Sequence, residues 1–360
     1  MKLKLGLPIW TLIVPLLAWL LYLGQSLQLG SFYSLLLGLG LMGAVITAVH
    51  HAEVIAHKVG EPFGTLVLAI AVTVIEVSLI VSLMLAGGPE TTALARDTVF
   101  AAIMIILTGI IGLCLFVGGL RYKEQSFGAS GVSASLITLI AISVLTLILP
   151  NYTTSVAGPV YNNSQLIFVA IVSLVLYGTF VAIQTNRHRD FFLPKEADSL
   201  EDVHAVPPTN ATTFLSLFLL LVCLAAVVLI AKALAPSIEN GVVELGAPKT
   251  LVGVIVALVI LLPEGMAALK AARKNRLQIS LNLALGSALA SIGLTIPAVA
   301  IVSIFTGLTI TLGIDTKSIV LLLLSLFTII ISFATGKTNV LQGVVLLVIF
   351  AAWLFITIVP

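Results

Sequence analysis

Leu66-Val67-Leu68-Ala69-Ile70-Ala71-Val72-Thr73-Val74-Ile75-Glu76-Val77-Ser78-Leu79-Ile80 is an apolar run broken by one carboxylate, and Val254-Ile255-Val256-Ala257-Leu258-Val259-Ile260-Leu261-Leu262-Pro263-Glu264-Gly265 is a second. Each would pass for a plain membrane helix, except that Glu76 and Glu264 sit well inside it. An ionisable side chain is costly in hydrocarbon, so those that occur face a water-filled or protein-lined interior and mark ion pathways. The pair sets both the class of fold and the functional question.

The surrounding chain has the same character. Of its 360 residues 60% are hydrophobic and only 9% charged, against roughly a quarter charged in soluble domains, and the mean hydropathy is +1.22. This composition is that of an all-α, polytopic integral membrane protein whose first partner is the lipid bilayer. A net charge of +2 gives no footing for nucleic acid. Cys114 and Cys223 lie in apolar runs, where thiols behave as small hydrophobes rather than as a disulfide framework. Lys2 and Lys4 ahead of Leu7 to Leu23 resemble a signal peptide, but no small-x-small cleavage pattern follows, so the segment reads as a retained first helix.

A spanning helix takes about 20 mostly apolar residues. That ruler places eleven of them, at 8–24, 31–50, 64–86, 97–119, 131–149, 164–183, 212–235, 248–269, 279–306, 317–334 and 339–359. The one long polar interruption, 184–210, closes with Pro207-Pro208 and reads as a cytoplasmic linker. The chain then divides into an N-terminal helix (1–30), a first five-helix repeat (31–183), the linker, and a second five-helix repeat (211–360). With the N-terminus inside, thirteen Lys and Arg fall on the cytoplasmic side and four (Arg96, Lys232, Lys249, Lys317) on the other, the sense of the positive-inside rule. The helices bearing Glu76 and Glu264 then run in opposite directions. Inverted repeats are a secondary-transporter architecture, with ion sites near the midplane where the repeats meet.

Two carboxylates offer a divalent cation charge compensation, with hydroxyls, carbonyls or water completing the shell. Thr73 lies one turn before Glu76. Pro263 cannot donate to the carbonyl of Val259, which frees that oxygen. Asn282, Ser287 and Ser291 are polar positions in an otherwise apolar helix, suited to ligation or to close packing. Desolvation and a like-charged neighbour both favour protonated carboxyls, so cation and protons compete for one site. Competition gives antiport when the site opens alternately to each side.

Gly60-Glu61-Pro62-Phe63-Gly64 leading to Glu76, and Pro263-Glu264-Gly265 followed by Leu281-Asn282-Leu283-Ala284-Leu285-Gly286-Ser287, resemble the cation/proton exchangers of the calcium/cation antiporter superfamily, and within it the bacterial ChaA-type branch. The resemblance implies exchange of calcium, sodium or potassium for protons in the cell inner membrane, with Glu76 and Glu264 as the central ligands and no resident cofactor. The family's better-known members carry Gly-Asn three to four residues before each glutamate, where this chain has Val72-Thr73 and Ile260-Leu261. Ala101-Ala102 stands where the first repeat's Gly-Ser is expected. These losses of side-chain oxygen keep monovalent cations open beside calcium.

His50, Glu53 and His57 share one helix face and form a candidate metal-binding or pH-sensing group, and Glu61 is a further candidate regulatory acid. Glu196, Asp198, Glu201 and Asp202 make an acidic cluster in the linker, a candidate regulatory cation site or an ordinary solvated segment. Neither a zinc-protease HExxH nor a Walker A motif occurs, so this is not read as an enzyme or an ATP-driven pump. A cation channel is the rival from another class. The reading is compatible with a homo-oligomer.

Overall fold

The computed structural model describes residues 7–25, 31–60, 63–87, 91–193, 208–244, 246, 248 and 250–359. Eleven apolar helices follow one another: α1 (Trp10–Gly24), α2 (Ser31–Val59), α3 (Phe63–Gly87), α4 (Leu94–Tyr122), α5 (Ala129–Tyr152), α6 (Asn163–Arg187), α7 (Asn210–Glu244), α8 (Thr250–Arg273), α9 (Leu277–Thr306), α10 (Thr316–Phe333) and α11 (Val340–Ile358). Among the described residues nine are long and apolar enough to cross a membrane, and α1 and the described part of α3 are shorter apolar helices. The protein is all-α and multi-pass, as its composition requires.

Two boundaries differ most from the expected ones, for physical reasons. Helix α2 runs nine residues beyond the expected Val49-His50 end, because nothing breaks it before Gly60, which turns at φ +77°. Helix α7 continues through Pro236 to Glu244, so the proline costs one intrahelical bond without ending the helix. Of the linker, Arg189–Phe191 forms a 3-10 turn; Glu196, Asp198, Glu201, Asp202 and Glu61 lie outside the described residues.

The chain forms two compact units, and each draws on both sequence halves: Met1–Thr91 with Ala205–Val252, and Thr92–His204 with Gly253–Pro360. In the first unit α2 packs on α1, α3 and α7. Ala44, Ala48 and Ala52 of α2, and Cys223 and Ala226 of α7, are wholly buried. Small side chains let membrane helices approach closely where lipid supplies no hydrophobic drive. Trp19 Nε1 donates to the Val222 carbonyl at 3.2 Å, fastening α1 to α7.

In the second unit α4 packs on α11. A Cβ on Gly343 would lie 2.4 Å from the Phe116 nitrogen, and one on Gly119 would lie 2.5 Å from that of Val340, so both positions need glycine. At one end, strand β1 (Glu124–Ser126) between α4 and α5 pairs antiparallel with β2 (Lys337–Asn339) between α10 and α11. At the other end, the α9–α10 connection is bound to the α5–α6 region. Leu312 and Gly313 donate backbone N–H groups to Pro159 O, and Ile314 donates to Leu147 O. Arg96 Nη1 also reaches Gly313 O at 2.9 Å. Tyr161 donates to Leu145 O at 2.6 Å, and burial pushes its phenol up to about 12, so this bond persists across physiological pH.

Candidate functional site: two glutamates within apolar helices

On α3, Thr73, Glu76, Ile80 and Leu83 recur every three or four residues and are all buried, Thr73 and Glu76 at 5% and 4% exposure. Ile70, Val74 and Leu85 are exposed. Glu76 and Thr73 thus lie on the inward stripe of an amphipathic helix, where a lipid-facing carboxylate would be intolerable.

Glu264 belongs to the second unit. Helix α8 runs alongside α4 in steady parallel register. A Cβ on Gly253 would meet the Asp97 and Thr98 backbone at 2.9 Å, and one on Gly265 would meet Ile110 at 3.1 Å. Cys114 packs with Ala268 and Ala272. Glu264 is therefore level with Ile105–Ile110, where α4 is π-helical. Such turns inside a long helix recur at functional sites. Returning from five-residue to four-residue bonding passes over one carbonyl, leaving an oxygen without an intrahelical donor.

Helix α9 completes this junction. Its Leu283 packs on the Cys114–Ala268 cluster, and α8 and α9 are antiparallel across the short Lys274–Arg276 turn. One turn back along α8 and one turn on along α9 reach a common depth, so Glu264 and Ser287 face the junction at the same level. Asn282 has other work. Its Nδ2 donates to Phe192 O at 2.6 Å and its Oδ1 accepts from Gln278 at 2.9 Å, tying α9 to the root of the linker. Val259 lies on the stripe of exposed Ile255, Leu258 and Met266, and α8 stays helical through Pro263.

His50 Nδ1 is 3.9 Å from Glu53 Oε2, while its ring lies 5.2 Å from that of Trp10. His57 is exposed. Among the described residues no three His, Cys, Asp or Glu side chains gather as a metal site. The wholly buried His51, which sequence reading passed over, brings Nε2 to 3.3 Å from Thr11 O and fastens α1. A carbonyl only accepts, so that nitrogen carries the proton.

The profile of the family described as "Sodium/calcium exchanger protein" matches residues 29–186 and 215–359. The putative ionic transporter y4hA of Sinorhizobium fredii is 45% identical over 98% of this chain and 97% of its own length. The sodium-potassium/proton antiporter ChaA of Escherichia coli is 36% identical over 96% and 94%. A Ca2+/H+ antiporter of Aphanothece halophytica is 28% identical over 74% and 76%. The solved structure of native YfkE superposes with a TM-score of 0.77 at 19% identity, covering 98% of this chain and 100% of that one. With the profile matched on both sides of the linker and the same helical fold beneath it, the chain belongs to the sodium/calcium exchanger protein family, within the calcium/cation antiporter superfamily.

Proposed function

We propose that this membrane cation exchanger swaps a cation for protons at one site made by Glu76 and Glu264, opened alternately to each side of the membrane. The observation that carries the reading is one glutamate in each half, on the buried stripe of Glu76's helix and at the α4–α8–α9 junction for Glu264. Two carboxylates neutralise Ca2+ completely, and Thr73 and Ser287 add neutral oxygens. Without cargo the pair takes up protons, so the site is occupied in both legs of the cycle.

Inverted five-helix repeats are part of the proposal. Two features support them. The family profile matches two stretches of similar length. The α4–α5 connection also pairs with α10–α11 at one end of the second unit, while α9–α10 binds α5–α6 at the other. A pseudo-twofold axis in the membrane plane exchanges these two clasps. The N-terminus is then cytoplasmic and the C-terminus on the far side of the inner membrane.

A second reading of the cargo, Na+ or K+, is favoured by the name of the ChaA relative and by apolar Leu261 where a side-chain oxygen would serve calcium. Proteoliposomes given an imposed pH gradient and Ca2+, Na+ or K+ in turn separate the two. The expected result is cation uptake with obligatory proton counterflow. Cation flux without counterflow would replace antiport by a channel.

A further inference from the structure

Helices α4, α9, α5 and α10 pack as a closed ring within the second unit, each touching the next. Each contributes a fully buried polar or polarisable side chain: Met104, Thr295, Ser143 and Ser325. Ser325 Oγ donates to Leu321 O at 2.7 Å and lies 3.6 Å from Met104 Sδ. Thr295 Oγ1 and Ser143 Oγ differ from it. Neither has a protein hydrogen-bond partner, whereas Ser135, Thr146, Thr98 and Thr108 in the same unit all bond back to a carbonyl of their own helix.

The two orphans share a depth. Gly128 N bonds Gln278 Oε1 across a sequence separation of 150, and in that parallel register Ser143 is level with residue 293, beside Thr295. They also share a direction. Leu283 marks the side of α9 that faces α4 and α8, and Gln278 the side that faces α5. Each four-residue step along a helix advances about 40°, so Ser287, Ser291 and Thr295 wind from the Glu264 junction toward the ring interior. Buried hydroxyls left unpaired cost free energy that an ordered water removes. Successive hydroxyls one turn apart stand about 6 Å from each other, a gap that one water fills.

We infer that Thr295 and Ser143 hold water inside the α4–α9–α5–α10 ring, and that this water, with Ser291 and Ser287, forms a proton path from Glu264 into the ring interior, toward the end of the unit bearing Arg96 and Gly313. Each hydroxyl or water accepts a proton on one side and releases its own on the other, so one proton reaches or leaves the Glu264 carboxyl with no net change along the row. Beyond Ser287 the row holds no carboxylate and so gives a divalent cation no charge compensation along it. Protons and cation reach Glu264 by different routes.

The inference rests on Glu264 being the proton-binding carboxylate, and the test separates the two. Thr295→Val keeps the shape and removes the hydroxyl; Thr295→Ser keeps the hydroxyl. In proteoliposomes, proton-coupled exchange by Thr295→Val and by Ser143→Ala is expected to slow by on the order of tenfold to a hundredfold, in line with loss of a positioned proton-transfer group. Isotopic cation-for-cation exchange, which moves no protons, is expected to proceed at the parent rate, and Thr295→Ser is expected to restore coupled exchange. Parent-like coupled exchange by Thr295→Val would overturn the path. So would equal slowing of both modes, since that reports packing. A parent protein with cation-for-cation exchange but no coupled exchange would instead overturn the reading of Glu264, and the path with it.

Discussion

The two glutamates carry the same charge in unlike surroundings. Beside Glu76 in sequence, Ile75, Leu79, Ile80, Leu83 and Met84 are all buried, leaving Thr73 as the buried hydroxyl one turn away. Glu264 lies level with a π-helical turn and with Ser287, at the foot of a hydroxyl row that ends in two unpaired side chains. Hydroxyls and a passed-over carbonyl at a carboxylate's own depth offer proton donors and acceptors that apolar neighbours do not. Matching sequence positions therefore need not have matching roles. On the proposed reading both acids capture the cation, and proton traffic is weighted toward Glu264.

The sharpest break of this comparison is to neutralise each acid. Glu76→Gln and Glu264→Gln are each expected to abolish proton-coupled exchange, because an amide neither carries the proton nor neutralises the cation. In the parent, cation uptake is expected to rise with pH on the loading side until the carboxyls are deprotonated, since protons compete for the same oxygens. Flux assays on well-expressed variants decide this, and exchange by the double variant would sink the shared site.

The units also differ in tolerance. Gly343→Ala forces a Cβ against the Phe116 backbone and is expected to cost about 1–3 kcal/mol, the usual range for overpacking. Gly38→Ala in the first unit meets nothing within 4 Å and is expected to gain up to about 1 kcal/mol of helix propensity. Thermal unfolding in detergent reads both, and equal shifts would erase the contrast. Smaller again, Thr73→Ala removes one neutral oxygen and is expected to weaken apparent cation affinity by roughly tenfold, the scale of a hydrogen bond to a charged group, without stopping turnover. Least of all, replacing Glu196, Asp198, Glu201 and Asp202 by amides is expected to leave exchange measurable, changing at most its activation by cation. Complete loss with normal membrane expression would move the functional centre into the linker.

The apolar runs, the two embedded glutamates and the loop charges are local features, and from them the sequence by itself determined the class of fold and the eleven helices, and singled out the two acids of the proposed site. Helix ends needed more. The extension of α2 to Val59 and the passage of α7 through Pro236 depend on neighbours that hold a helix past its weak point. Asn282 looked like a ligand because its chemistry suits one, yet tertiary structure gave its amide to Phe192 O and Gln278. The π-helical turn of α4, the common depth of Glu264 and Ser287, and the unpaired hydroxyls of Thr295 and Ser143 have no local signature. They arise from the register in which helices far apart in sequence pack, and register is a property of mutual fit that no single segment encodes.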